Sequence, residues 1–295
     1  MTVVVGLGVF VAPTAAIASP THASTPSYYI SLGDSLAEGL QPPPAVNTNG
    51  SETLHGYSDQ VVTDVASKIK LTLVNLGCGG ATTTSILTSV GCKGGEANNA
   101  PPYPSETQAG AALSFISAHP GQVKLISISI GANDYANCLN LASPVSCVAA
   151  TMGTMKSNIK TLAGQLRAAV GPSVAIVAVT DVDSDIVHWL HGGASGKASA
   201  KQWIAEFRNI ITPTLAAGYA PSKVTLVNIF ADFDTYVPLI KLVKYAPYGK
   251  IPLAVARECQ LTWICVTNNG NQHPTSAGYA LMAKEITKAY LKLLG

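Results

Sequence analysis

The chain has 295 residues, a length that suits one large domain or two small ones, and its formal net charge is only +2. Charged residues make up 12% of the sequence, so the chain lacks the concentrated basic field that nucleic-acid binding requires. Apolar residues make up 47% and can supply a sizeable core, which argues against a disordered chain. We therefore expect one globular domain that acts on small neutral partners and binds no nucleic acid.

The first predicted element is an export signal. Residues 1–23 carry an apolar run followed by small residues, with candidate cleavage sites after Ala18 and Ala23. The positively charged region that usually opens a signal peptide is missing, so we expect a misplaced or truncated start. A membrane anchor is the alternative, but the apolar run is short for a span and contains Pro13. The sequence predicts a secreted protein without stable membrane insertion, with residues 24–295 as a single domain.

Short apolar runs then alternate with longer segments of helical pattern. The predicted strands are Tyr28 to Leu32, Leu71 to Leu76, Val123 to Ile130, Ser173 to Val179 and Val224 to Ile229. The predicted helices lie near Ser58 to Ile69, Glu106 to Ala118, Val145 to Val170, Ala198 to Ala216 and Thr275 to Leu294. Nearly continuous apolar strands are typical of a sheet that is covered on both faces. Their alternation with helices predicts an α/β fold built from right-handed βαβ units around a parallel sheet.

Ligands bind such sheets outside the carboxyl ends of the strands, so the residues that follow each strand are the candidates for a site. Ser35 follows the first strand and either caps a helix or projects its hydroxyl into the crevice. Gly80 lies in a glycine-rich turn after the second strand, where backbone N–H groups can approach an anionic ligand. Each residue is ambiguous when it is taken alone.

Two further candidates belong to the same edge of the predicted sheet. Asn133 follows the third strand, where it either closes an Asx turn or offers an uncharged amide donor. His273 stands just before Pro274, at the entrance to the last predicted helix. Because all four candidates follow strands or precede that helix, we expect them to meet at one edge.

The six cysteines fall into three close pairs. An even number of cysteines behind an export signal predicts disulfides. Of the fifteen formal pairings we expect the three local ones, since each closes a short loop: Cys78–Cys92, Cys138–Cys147 and Cys259–Cys265. No Cys-x-x-Cys pair is present and no histidine lies at ligand spacing from the cysteines, so we expect no zinc site.

These segments resemble the four sequence blocks of the GDSL or SGNH hydrolases. The matching segments are GDSL at Gly33 to Leu36, NLGCGGATT with Gly80, GAND at Gly131 to Asp134, and HP at His273 and Pro274. The resemblance implies a flavodoxin-like, three-layer α/β/α sandwich with a central parallel five-stranded sheet. It also implies an esterase or lipase that cleaves carboxylic esters and needs no cofactor and no metal.

The resemblance further implies an acyl-serine mechanism, with Ser35 as the nucleophile and His273 as its base. The backbone N–H groups of Ser35 and Gly80 and the side chain of Asn133 would form the oxyanion hole. Asp34 would hold the turn that carries the serine. The substrate would be a small-molecule or lipid ester, with a carbohydrate acetyl ester as the alternative, and we expect a monomer.

The sequence departs from the family at Gly270, where an acid usually precedes the histidine by three residues. Three explanations compete: the backbone carbonyl of Gly270 orients His273, a carboxylate from another segment does so, or the chain is a catalytically weakened binding protein. The carboxylates that follow the fourth and fifth strands are Asp181, Asp183, Asp185, Asp232 and Asp234. A neutral acceptor in place of a charged one costs roughly 1–3 kcal/mol, about 10- to 100-fold in rate, so an esterase is still expected.

Overall fold

The computed structural model describes residues 1–3, 25–42, 55–97, 100–138, 144–266 and 271–294. Nearly all of the predicted signal peptide, residues 1–23, lies outside these ranges. Gly270 lies outside them as well. Within the described ranges, no helix combines the length and the apolar content that crossing a bilayer requires.

A sheet of five parallel strands forms the centre of the structure. The strands are β1 (Tyr28–Gly33), β2 (Thr72–Asn75), β3 (Val123–Ser129), β4 (Ala175–Val179) and β5 (Thr225–Val227), in the spatial order β2-β1-β3-β4-β5. This is the flavodoxin-like order, with its topological switch point between β1 and β3. Since all four pairings are parallel, the carboxyl ends of the five strands meet at one side, here called the carboxyl edge.

The helices surround this sheet. They are α1 (Ser35–Glu38), α2 (Tyr57–Val65), α3 (Ser85–Thr88), α4 (Gln108–Ala118), α5 (Ala132–Tyr135), α6 (Pro144–Val170), α7 (Gly193–Glu206), α8 (Thr212–Tyr219), α9 (Ile229–Asp232), α10 (Leu253–Leu261) and α11 (Ser276–Leu294). Short 3-10 helices cover Ala136–Cys138, Ser184–Leu190 and Ala220–Ser222, and a π-helical turn over Phe207–Ile211 joins α7 to α8.

Alternate side chains of the strands enter two separate cores. Ile30 and Leu32 of β1 belong to a core that includes residues of α4, α6 and α8. Tyr29 of β1 and Leu125 of β3 belong to a second core, with residues of α2 and α11. Full burial of each such aliphatic side chain contributes about 1.5–3 kcal/mol. The two cores on opposite faces of one parallel sheet confirm the predicted three-layer α/β/α sandwich.

An antiparallel hairpin and the helix after it were not predicted from the sequence. The hairpin consists of β6 (Leu242–Tyr245) and β7 (Gly249–Pro252), and α10 follows it directly. A third cluster of apolar side chains lies beneath the hairpin and includes Ile186 and Val255. Because each strand has four residues and β6 alternates exposed with half-buried positions, the segment lacks the apolar run that identified the other strands.

Candidate active site

The turn after β1 brings Ser35 to the carboxyl edge. Gly33 has a φ of +138°, and a Cβ at this position would lie 1.8 Å from the carbonyl oxygen of Ser129, so only glycine fits. Gln108 of α4 holds this glycine from both sides: the Gly33 N–H donates to Oε1 at 2.8 Å, and Nε2 donates to the Gly33 carbonyl at 2.9 Å. Ser35 is the first residue of α1, where a backbone N–H has no intrahelical acceptor.

Asp34 is the N-cap of the same short helix. Its Oδ1 accepts hydrogen bonds from the Leu36 N–H at 3.0 Å and from the Ser129 hydroxyl at 3.4 Å. The side chain is buried, and this burial raises the pKa of the carboxyl well above its usual range. These contacts fit the expectation that Asp34 holds the turn.

His273 faces Ser35 directly. Its Nε2 lies 2.8 Å from the Ser35 Oγ, although the two residues are 238 positions apart in the sequence. Burial lowers the pKa of the imidazole to about 4, so the ring is neutral at pH 7. A neutral imidazole at this distance is able to accept the proton of the serine hydroxyl.

Asn271 is the partner of the other ring nitrogen. Its side-chain Oδ1 lies 3.2 Å from His273 Nδ1 and also accepts the backbone N–H of His273 at 3.0 Å. An atom that accepts a backbone N–H must be the amide oxygen, so Nδ1 has to donate its proton to that oxygen. The lone pair is thereby left on Nε2, which faces the serine.

None of the five alternative carboxylates contacts the His273 ring by a hydrogen bond or an ion pair in the described part of the chain. Asp183 caps the 3-10 helix that follows β4, by accepting the Ile186 N–H at 3.1 Å. Asp234 pairs with Arg257 at 3.2 Å. Asn271 is therefore the ring partner that the structure shows.

The glycine-rich turn after β2 and the start of α5 are tied to each other. Asn133 Nδ2 donates to the Ala81 carbonyl at 2.9 Å, and Asp134 accepts both the backbone N–H of Thr83, at 2.8 Å, and its hydroxyl. Gly80 has a φ of +73°, which residues with side chains rarely adopt. These contacts fix the Gly80 turn beside the Asn133 amide.

One open pocket brings the four predicted residues together. Its volume is about 340 Å³, and its lining residues are Ser35, Glu38, Leu40, Gly79, Gly80, Gly94, Gly95, Asn133, Gln272 and His273. Serine, histidine and potential amide donors around one cavity form the set that acyl transfer requires. Across the described ranges, no group of three or more His, Cys, Asp or Glu side chains is arranged to hold a metal ion.

The structure joins the six cysteines in the three local pairs that the sequence predicts. Cys78–Cys92 lies in the turn that carries Gly80, Cys138–Cys147 joins the segment after α5 to α6, and Cys259–Cys265 closes a loop at the end of α10. From within this last loop, the Trp263 N–H donates to the His273 carbonyl at 2.9 Å. Each disulfide therefore braces a segment that leads to the pocket.

The sequence of the chain matches a known protein family over most of its length. The profile of the GDSL-like lipase/acylhydrolase family matches residues 31–281, a range that contains all four motifs and the whole pocket. The chain belongs to this family. It is accordingly an ester hydrolase of the GDSL or SGNH type, with the α/β fold that the sequence predicts. Among curated proteins, none matches this chain at a significant level.

Solved structures of low sequence identity match nearly the whole chain. An extracellular lipase from Streptomyces rimosus is 18% identical, over 91% of this chain and 98% of its own, with a TM-score of 0.48. Est24, a carbohydrate acetylesterase from Sinorhizobium meliloti, is 12% identical over 90% and 99% of the two chains, with a TM-score of 0.48. A further solved chain, 11% identical over 92% and 99%, reaches a TM-score of 0.51, and this likeness concerns the fold alone.

Proposed function

We propose that this GDSL-family hydrolase is a secreted serine esterase or lipase that cleaves carboxylic esters through an acyl-serine intermediate. The observation that carries the proposal is the distance of 2.8 Å between Ser35 Oγ and His273 Nε2. The second ring nitrogen donates to Asn271, which leaves the serine-facing nitrogen as the base. Export is supported by the apolar, small-residue composition of residues 1–23 and by the three disulfides.

In the first half of the reaction, Ser35 Oγ attacks the ester carbonyl carbon while His273 Nε2 takes its proton. The tetrahedral oxyanion accepts hydrogen bonds from the backbone N–H groups of Ser35 and Gly80 and from the Asn133 amide. The carbon–oxygen bond to the alcohol then breaks, and the imidazolium returns the proton to the leaving alkoxide. Water then attacks the acyl carbon while the same histidine takes its proton. The bond to Ser35 Oγ breaks, and the imidazolium returns the proton to that oxygen as the acid is released.

The role of Ser35 is tested with purified wild type and Ser35→Ala on chromogenic esters from acetyl to long acyl chains. We expect cleavage by the wild type and loss of most of that rate in the variant, at least about 10³-fold, because the nucleophile is gone. The chain-length profile then separates esterase from lipase substrates. Equal rates for the two proteins would overturn the proposal, and no cleavage by the wild type would favour the binding-protein alternative.

A fluorophosphonate probe provides an independent measurement of the nucleophile. Mass spectrometry should locate one adduct on Ser35 of the wild type and none in Ser35→Ala. Ser184→Ala is the matched control, since Ser184 also lies at the carboxyl edge and donates its hydroxyl proton to Gln272 at 3.0 Å. This control protein should be labelled on Ser35 as the wild type is.

A further inference from the structure

The β6–β7 hairpin presents an outward face that combines exposed aliphatic and cationic side chains. Ile240 is 90% exposed and Leu242 is 50% exposed, values that are high for large apolar side chains. Lys241, Lys244 and Lys250 are also exposed on this segment. We call these five residues the hairpin face. On the inner side of β6, Val243 and Tyr245 pack instead onto the apolar cluster beneath the hairpin.

The lysines of the hairpin face have no ion-pair partner among the described residues. From Thr235 to Arg257 the sequence contains no Asp and no Glu. No carboxylate in the described part of the chain forms an ion pair with any of the three lysines. Moreover, Lys244 and Lys250 are directly opposite each other in the antiparallel register, an arrangement that destabilises an isolated hairpin. An anionic partner would remove that repulsion.

The hairpin packs against elements that lie at the carboxyl edge. Its inner side shares the apolar cluster with the 3-10 helix Ser184–Leu190, which directly follows the carboxyl end of β4. From β7 the chain enters α10, and the loop after α10 donates to the His273 carbonyl through the Trp263 N–H. A surface bound by the hairpin face would therefore lie on the same side of the molecule as the carboxyl edge.

We infer that the hairpin face docks this protein onto an anionic lipid–water interface. Exposed aliphatic side chains enter the boundary between headgroups and acyl chains, while lysines beside them attract acidic headgroups. The combination fits a phospholipid surface better than a soluble anion, because a soluble anion would leave Ile240 and Leu242 exposed. The inference does not rest on ester cleavage, since docking needs neither Ser35 nor His273.

The test is co-sedimentation of the full chain with vesicles, in the Ser35→Ala background so that no lipid is consumed. We compare phosphatidylcholine vesicles with vesicles that also contain phosphatidylglycerol, at low and at high salt. Binding should need phosphatidylglycerol and should weaken as salt screens the lysines. The triple variant Lys241→Gln, Lys244→Gln, Lys250→Gln should bind about 100-fold more weakly, and Ile240→Ser with Leu242→Ser about tenfold more weakly.

Matched controls make the same kinds of substitution on the side of the molecule where the amino ends of the strands lie. Lys68, Lys70 and Lys223 are exposed and precede β2 and β5, so their triple Gln variant removes the same charge away from the pocket. Leu293 and Leu294 are 52% and 55% exposed at the end of α11, and their double Ser variant controls for lost apolar surface. Both controls should bind vesicles within about twofold of the parent, and circular dichroism should show that all variants fold.

Loss of binding in the hairpin variants alone supports docking through this face. The inference is overturned if the Ser35→Ala parent does not bind vesicles that contain phosphatidylglycerol. It is overturned as well if the hairpin variants and the control variants lose binding equally. It is also overturned if the hairpin variants bind as the parent does. None of these outcomes depends on whether Ser35 is the nucleophile, so failure of docking and failure of the proposed function remain distinguishable.

Discussion

At the scale of single residues, the uncharged amide beside His273 distinguishes this site from one with a carboxylate. The Asn271 oxygen accepts from Nδ1 at 3.2 Å, which fixes the ring tautomer as a carboxylate would. A carboxylate would in addition stabilise the imidazolium that forms when the ring takes the serine proton, because a full negative charge makes a stronger hydrogen bond. In the proposed mechanism, the amide therefore keeps the orientation of the base but stabilises its charged form less.

This difference can be tested with Asn271→Asp. The introduced charge should raise the pKa of His273 above its present value of about 4, by about 1–3 units. The acid limb of kcat/KM should move to higher pH by the same amount, and kcat should rise about tenfold. Asn271→Ala should instead lower kcat about 10- to 100-fold without an upward movement of that limb. The measurement is a pH–rate profile on a soluble ester.

Asn228→Asp is the control for added charge. Asn228 caps α9 by accepting the Ala231 N–H at 3.2 Å, and an aspartate can make the same bond. It adds one negative charge at the carboxyl edge without contacting His273. An acid limb that moves as far in this control as in Asn271→Asp would contradict a direct effect of residue 271 on the ring.

At the scale of elements, strand ends and disulfides position the site together. Ser35, Gly80 and Asn133 occupy turns after neighbouring strands, so the parallel sheet fixes their relative positions. His273 is different, because it precedes α11 and is held by the loop that Cys259–Cys265 closes. The position of the proposed base is therefore tied to this loop.

Removal of that disulfide should separate activity from folding. Cys259→Ser with Cys265→Ser should lower the free energy of unfolding by roughly 2 kcal/mol, and it should also lower kcat/KM at a temperature where the protein stays folded. Cys138→Ser with Cys147→Ser is the control for a lost disulfide, since this bond joins the segment after α5 to α6 and not the α10 loop that donates to His273. Equal kcat/KM in the two double variants, per folded molecule, would argue against a role of the α10 loop in holding the base.

The elements differ in how well the sequence predicts them. The central strands are buried on both faces, so their apolar runs are visible in the sequence. Ser35, Gly80 and Asn133 can then be placed together because parallel strands end at one edge. The β6–β7 hairpin shows no such run, since half of each short strand is exposed.

Two residues of the site were missed in the sequence. The Asn271 side chain accepts hydrogen bonds from His273, two residues later, and this spacing is typical of an Asx turn. Gln108 reaches Gly33 from 75 residues away and has no local signal.

At the scale of the whole molecule, the fold buries several carboxyl groups near the carboxyl edge. Glu258 and Asp183 are fully buried, and neither Glu258 oxygen has a hydrogen-bond partner among the described residues. Burial, together with the nearby aspartates 181, 183 and 185, raises the pKa of Glu258 well above its usual range. Burial also raises the pKa of Asp181 to about 7. The folded protein therefore holds protons that the unfolded chain releases near pH 4.

The stability of the protein should fall as pH rises from about 6.5 to 8. In this window the unfolded chain has already lost these carboxyl protons. Each group that stays protonated only in the folded state therefore lowers the free energy of unfolding by about 1.4 kcal/mol for every pH unit. His273 has the opposite effect on stability, but only below its pKa of about 6.5 in the unfolded chain. There the unfolded chain binds a proton that the folded protein, with its lower pKa, does not bind, so acid destabilises the protein. Denaturant unfolding at several pH values measures the slope.

Glu258→Gln should flatten this decline, because the amide has no proton to lose. Glu106→Gln is the control, since Glu106 is exposed and accepts the Ser114 hydroxyl at 2.6 Å, and it should leave the slope unchanged. A stability that does not fall between pH 6.5 and 8 in the wild type would show that the buried carboxyl groups are already ionised in the folded protein.

The three disulfides also bear on the order in which the molecule assembles. Their partners are only 14, 9 and 6 residues apart, so in an oxidising environment each can close as soon as its own short segment is available. Ser35 and His273 meet across 238 residues, and the base lies close to the C-terminal helix. The disulfides of the first half of the chain can thus form early in synthesis, whereas the proposed catalytic pair can form only once the segment around His273 has been made. In the proposed mechanism, a chain made only as far as the first two disulfides has no base and cannot cleave an ester.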